Sequence, residues 1–379
     1  MSNPELAPLR VLLTSTSYPS SEGDWRGVFM RHLVSALARR NDVALSIWAP
    51  PGPLPAEITS IATAGETAML TQLMTEGGVS HLLRNHRVRG ALAALRLLAA
   101  LRRAYRAGSP EVYHVNWLQC LLPLPTNGVP LLVTVLGNDM RLLRIPGMVK
   151  IVRRAMRGRR VTISPNSEWM QPHLQTLFGD IAAVHPVPFG IEPHWYALAR
   201  KPSSNASWLL VTRLTKRKLG PIFTWGHSLF GPGTGRVLHV LGPMQEPIDL
   251  PEWIQYHGPA TPTDLREHWF PMATGLLSLS EHDEGRPQVM LEAMASGLPV
   301  VASRLSAHVD LIRDGIDGMI VDTPDAFAHA IIRTEDPALN SALSAAARER
   351  MRELFGTWDD CAARYASHYR RMIEEQTGD

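Results

Sequence analysis

Short, almost uninterrupted apolar runs alternate with helical patterns along most of this chain, and that alternation narrows the possible folds more than any other feature. LRVLLTST (9–16), VALSIWAP (43–50), EVYHVN (111–116), VPLLVTVLG (129–137) and RVTISPN (160–166) are apolar along nearly their whole length. Strands that read this way are buried on both faces, as in a parallel sheet between helical layers. Residues 27–40, 87–106 and 146–157 carry helical spacing and supply the crossovers, so the first half reads as one doubly wound α/β domain. Around residues 190–206 the period lapses through prolines and serines, which marks a linker. The alternation then restarts with SWLLVTRL (207–214), GRVLHVLG (235–242), WIQYHG (253–258), GLLSLS (275–280), LPVVAS (298–303) and GMIVD (318–322). With 379 residues, 45% of them apolar, the chain has material for two cores. The expectation is two Rossmann-like domains facing across a cleft, 1–195 and 196–357, with a helix over 358–379 packing back on the first.

Several classes fall away. Cys120 and Cys361 are the two cysteines, too few for a thiolate zinc site or a disulfide framework, and a reducing compartment is expected. The opening MSNPELAPLRVLLTSTSYP has no charged region leading into a long apolar core, so no secretory leader is expected. The best membrane-span candidate, 91–101, is broken by Arg96. A cytoplasmic protein, peripheral on the inner membrane face, is the expectation. Net charge is only +3, but seven arginines between 84 and 106 and eight basic residues between 141 and 160 come with no acid among them. This asymmetry favours an anionic partner. Arg89, Arg96 and Arg103 recur every seven residues, a spacing that drifts only ~20° per step on a straight helix. That stripe, with Arg153, Arg154 and Arg157, is expected to seat the first domain on an anionic membrane. No aromatic residues interleave with the basic ones in the manner of a nucleic-acid surface, so nucleic acid is not an expected partner.

The stretch EGRPQVMLEAMASGLPVVAS (284–303) places two carboxylates, Glu284 and Glu292, in an apolar, helix-forming segment. It reads as loop, helix, stop and strand: Pro287 suits a first helical turn and Gly297 a C-terminal cap. Glu284 falls in the loop and Glu292 on the helix. The loop around Gly285, Arg286, Pro287 and Gln288 would turn backbone N–H groups and a positive dipole end toward phosphate oxygens. An ionised Glu292 could accept both hydroxyl protons of a ribose diol, although a bare acid on a helix is also commonly a solvated charge.

The paired acids and their surroundings resemble the signature of family-4 glycosyltransferases of the GT-B fold, the glycosyl transferases group 1. The resemblance implies that Glu284 lies beside the donor sugar and that Glu292 holds the nucleotide ribose. VTRLTKRKLG (211–220) resembles the family's Arg-Leu, three residues, Lys-Gly pattern, which makes Arg213 and Lys218 the candidates for the donor diphosphate. Thr212 and Leu219 stand where glycines are common, and Lys216 or Arg217 could substitute for Lys218. Arginine and lysine can neutralise a departing diphosphate, a task metals perform in other transferases.

SYPSSEGDWRGVFMRHL resembles the family's opening strand, loop and helix, with Gly27 letting backbone approach a ligand. In VYHVN (112–116) His114 fits the first of a common His pair and Asn116 replaces the second. In LVTVLGNDM (132–140) Leu136 replaces a His while Gly137 and Asp139 remain. PVPFGIEPHWY (186–196) carries Glu192 where Asp is usual. Asn116 and Asp139 are thus catalytic candidates beside Glu284, Arg213 and Lys218. The implied reaction is metal-independent and retaining, moving sugar from a nucleoside-diphosphate sugar to a saccharide or lipid-linked acceptor in bacterial polysaccharide, lipopolysaccharide or glycolipid synthesis, with no separate cofactor. The alternatives are a GT-B epimerase or phosphorylase, or a non-catalytic lipid- or nucleic-acid-binding protein.

Overall fold

In the computed structural model the described residues are 7–24, 26–202, 205–282 and 285–377. They form two units, residues 1–189 with 358–379 and residues 190–357. The first is built on β1 (Leu9–Thr14), β2 (Val43–Trp48), β3 (Thr59–Ser60), β4 (Val112–Asn116), β5 (Leu131–Val135), β6 (Val161–Pro165) and β7 (Ala183–Val184). They pair in the order β3-β2-β1-β4-β5-β6-β7, all parallel. The second holds β8 (Ala206–Val211), β9 (Arg236–Leu241), β10 (Ile254–Tyr256), β11 (Gly275–Ser278), β12 (Val300–Ser303) and β13 (Met319–Val321) in the order β10-β9-β8-β11-β12-β13, again parallel. All the apolar runs read from the sequence contain these strands. The two-residue edges β3 and β7 are too short to leave a run of their own.

Alternate residues of β1, β4 and β5 feed two separate cores. Tyr113, Val133 and Ile163 join Leu97, Leu101 and Phe178 on one face. Leu13, Val112 and Leu132 join Val34, Leu37 and Tyr365 on the other. Each such side chain contributes about 1.5–3 kcal/mol when fully buried, so both faces must be covered. The second face is covered by the helices Val28–Ala38 and Trp358–Thr377. Residues 190–195, assigned on the sequence to the first domain, belong to the second unit. Ile191 bridges Thr357, and the Trp195 ring packs 5.2 Å from Phe270.

The strand end of β4 carries a buried polar seam. His114 meets the Tyr369 hydroxyl at 2.6 Å through Nδ1 and Thr134 Oγ1 at 2.8 Å through Nε2, and Thr134 also meets the Tyr365 hydroxyl at 3.1 Å. Burial pushes the His114 imidazole down to about 3, because a charged ring there would have no water around it. Its place is structural: it pins the helix Trp358–Thr377 to the sheet.

Candidate functional site

In an open doubly wound sheet, ligands bind beyond the strand C-termini where the strand order reverses. The strand orders put these switch points between β8 and β11 in the second unit and between β1 and β4 in the first. The loops leaving β8 and β11 contain Arg213, Lys218 and residues 280–282 and 285–287; the loop leaving β1 contains Gly27, and Asn116 is the last residue of β4. The candidates thus gather at the two places where this architecture forms sites.

In the second unit the two loops are tied together by backbone. Thr215 caps the short helix Lys216–Leu219, its Oγ1 accepting from the Lys218 N–H at 3.3 Å. Arg217 Nη2 donates to the Glu281 carbonyl at 2.7 Å, and the Glu281 N–H donates to the Arg217 carbonyl at 2.7 Å. Arg217 is therefore engaged in holding the loop, while the half-buried Arg213 and Lys218 line it. The Leu219 departure has a plain cause. Its side chain is buried in the core, and the glycine function falls one residue later, at Gly220. Gly220 has φ +57, and a Cβ there would lie 1.9 Å from the Leu279 carbonyl oxygen. Only glycine lets the loop close on the end of β11.

Glu284 lies outside the described residues. Pro287 is one place earlier than expected: it is the N-cap of the helix Gln288–Ala295, with ψ 109, rather than part of its first turn. Its carbonyl accepts from the Met290 N–H at 3.1 Å. The Arg286 guanidinium is buried on Asp310 Oδ2 at 2.7 Å and stacks 5.1 Å over Phe355. It fastens the loop to the protein, which leaves its backbone rather than its side chain for a ligand. Gln288 donates through Nε2 to the Gly190 carbonyl at 3.5 Å and hydrogen-bonds the Glu292 carboxyl one turn on. Glu292 is half-buried. Burial raises its carboxyl to about 8, the Gln288 bond opposes this, and the charge of Glu192 adds to it. Glu192 stands at the N-cap of the helix Pro193–Tyr196. The site thus contains a carboxyl kept largely protonated at neutral pH beside a second acid, a pairing that functional sites favour.

In the first unit Gly27, φ +70, begins the helix Val28–Ala38, and a Cβ on it would meet Ser17 Oγ at 2.4 Å. Asn116 ends β4 fully buried; its Nδ2 donates to the Thr14 carbonyl at 3.3 Å, and its Oδ1 has no partner among the described residues. Trp117 follows at φ +69, a left-handed conformation that costs a non-glycine residue about 1–3 kcal/mol and clusters at functional sites. Its ring packs edge-on to Phe29 at 6.2 Å, linking the two switch-point loops. Asp139 is held by backbone amides. It is 1% exposed, with Oδ1 accepting from the Leu118 N–H at 2.9 Å and Oδ2 from the Leu136 N–H at 2.8 Å. Burial lifts it to about 7 against those two bonds. With both oxygens engaged by backbone, it braces the β4 and β5 loops.

Three groups escaped the sequence reading. Ser164 Oγ and Asn166 Oδ1, at the end of β6, are buried without partners among the described residues, as Asn116 Oδ1 is. Asn116, Thr134 and Ser164 are in register across β4, β5 and β6, which puts the outer two about 10 Å apart. The Ser-Pro-Asn ending of an otherwise apolar strand was the available signal. His308 is buried between the ends of β11 and β12, its Nδ1 2.8 Å from the Ser303 carbonyl. Nothing in its local sequence announces it.

Residues 232–336 match the model of the glycosyl transferases group 1. The chain is 30% identical over 131 residues to D-inositol 3-phosphate glycosyltransferase of Streptomyces griseus, covering 34% of this chain and 27% of that protein. The match therefore spans about a quarter of that relative's length. The fold is similar to sucrose-phosphate synthase of Thermosynechococcus elongatus, with TM-score 0.72 at 17% identity over 97% of this chain and 100% of that one. It is also similar to Anabaena Alr3699/HepE in complex with UDP and glucose, with TM-score 0.64 at 12% identity over 96% and 100%. Two parallel, doubly wound units of this construction define an α/β protein of the GT-B fold. Within that fold, residues 232–336 of the second unit are similar to the glycosyl transferases group 1.

Proposed function

We propose that this protein transfers a sugar from a nucleoside-diphosphate sugar to an acceptor hydroxyl, with retention at the anomeric carbon and without a metal. The observation that carries this is the Glu292 carboxyl, set one turn into the helix that follows the β11 loop, inside the segment matching the glycosyl transferases group 1. Glu292 would take the ribose hydroxyls. Arg213 and Lys218, on the loop laced to that segment, would take the diphosphate, whose charge grows as it leaves. Glu284 would lie beside the sugar. The first unit would take a saccharide or lipid-linked acceptor at its own switch point, between β1 and β4. The match of residues 232–336 to the glycosyl transferases group 1 and the UDP and glucose bound to HepE support this assignment.

Purified protein given a panel of nucleotide sugars without acceptor should slowly release nucleoside diphosphate from one of them. Glu284→Gln should lower that release while leaving affinity for the bare nucleoside diphosphate near wild type. No release from any donor, with no nucleoside diphosphate bound, would overturn the proposal.

A further inference from the structure

The helix Arg87–Arg106 buries Gly90, Leu97, Leu101 and Ala104 against the first unit. Val88, Leu92, Leu95, Ala99, Arg102 and Arg106 follow one another at spacings of four and three, so they share the opposite side. That side is open: Val88 is 77%, Leu92 53% and Leu95 64% exposed, and Ala99, Arg102 and Arg106 are exposed as well. The stripe expected from the seven-residue period lies elsewhere. Arg89 pairs with Glu76, and Arg103 pairs with Glu66 while donating to the Ile61 carbonyl at 2.8 Å. Both fasten the helix to its neighbour Ala64–Thr75. Arg153 likewise pairs with Asp180 and donates to the Leu177 carbonyl at 2.7 Å. The outward face is therefore apolar in its first half and cationic in its second.

Around that cationic end Ala99, Arg102, Arg103, Arg106 and Ala107 line a surface recess of about 390 Å³. Arg96, Arg102 and Arg106 form no ion pair among the described residues. The helix Met148–Met156 covers the same face of the sheet and exposes Ile151, at 50%, with Lys150 and Arg154. Neither helix contains an acid. Exposed aliphatic residues followed along one helix face by arginines suit a surface that is apolar below and anionic above. A lone apolar patch would not choose between partners, but the guanidinium-lined recess matches a phosphate headgroup.

We infer that the face Val88, Leu92, Leu95, Arg102 and Arg106 docks this protein on an anionic lipid bilayer. The three aliphatic residues enter the headgroup boundary, and Arg102 and Arg106 hold lipid phosphates. This goes beyond the transfer reaction and does not depend on it.

Flotation with vesicles of phosphatidylcholine, with and without phosphatidylglycerol, tests it. Wild type should float with the anionic vesicles, stay down with the neutral ones, and lose binding as salt is raised. Arg102→Gln with Arg106→Gln should lower partitioning roughly 30-fold, from about fivefold for each arginine near an anionic surface. Leu92→Ser with Leu95→Ser should lower it at least about tenfold. Since all four positions are exposed, thermal unfolding should stay at the wild-type midpoint. Equal binding to neutral vesicles, wild-type binding by both double variants, or a wild-type dimer that the serine variant dissociates without any lipid binding would each overturn the inference.

Discussion

Donor binding should tighten as pH rises through 8, and Glu192 should set where that happens. The unliganded Glu292 carboxyl is raised to about 8 by burial and by repulsion from Glu192, with Gln288 working against both. Ribose hydroxyls donate hydrogen bonds, and the ionised carboxylate is the form that accepts two of them. With half-ionisation at about 8, roughly 10% of Glu292 is ionised at pH 7 and roughly 90% at pH 9. Affinity should therefore rise about tenfold across that window, a change of ~1.4 kcal/mol. The diphosphate diester of an intact nucleotide sugar has no proton to lose there, so the slope would belong to the protein.

Glu192→Gln removes the like charge, so the midpoint should move down and affinity at pH 7 should rise. Glu292→Gln should abolish the slope and leave binding weak throughout. Calorimetry of donor binding at pH 7, in two buffers of different ionisation enthalpy, should also show nearly one proton released per site by wild type and none by Glu292→Gln. A flat wild-type profile between pH 7 and 9, or a slope that persists in Glu292→Gln, would refute the ribose role of this carboxyl.

Arg213→Ala and Lys218→Ala should each lower turnover roughly 10- to 150-fold, the equivalent of one charge-assisted hydrogen bond of about 1.5–3 kcal/mol, measured as donor-dependent product formation. Lys216→Ala should be close to silent, because Lys216 is exposed on the same short helix; a crippled Lys216 variant beside a silent Lys218 variant would reverse their assignment. Gly220→Ala forces a Cβ to within 1.9 Å of the Leu279 carbonyl at φ +57, so it should lower both the thermal midpoint and donor affinity, by about 1–3 kcal/mol of backbone strain. His114 is held at about 3 in the folded protein, below its ordinary 6.5, so the unfolded chain binds the extra proton; stability should fall by ~1.4 kcal/mol per pH unit between about 6.5 and 3, and His114→Gln should flatten that dependence in chemical denaturation.

The strands were legible because a parallel sheet covered on both faces needs apolar residues at consecutive positions, a pattern that few other structures produce. β3 and β7 were not, since two residues at a sheet edge impose no such demand. The donor loop shows a subtler limit. The sequence displays Leu219 where a glycine is common, and only the structure shows why: the leucine fills the core, and Gly220 makes the close approach to Leu279. Periodicity correctly made Arg89, Arg96 and Arg103 one stripe, but period alone cannot say what the stripe faces. Glu66 and Glu76, on and just after the helix Ala64–Thr75, tie down Arg89 and Arg103 but not Arg96, and Val88, Leu92 and Leu95 are left outermost. Asp139 shows the same limit, because a polar residue at a strand end looks alike whether it meets a substrate or a neighbouring amide. What separates the cases is the count of partners. Asp139 and His114 have all of theirs within the protein, whereas Asn116, Ser164 and Asn166 each keep a buried oxygen unmet among the described residues. An unmet buried polar atom costs about 1–3 kcal/mol, so these oxygens, on β4 and at the end of β6, mark where hydrogen bonding within the fold is least complete.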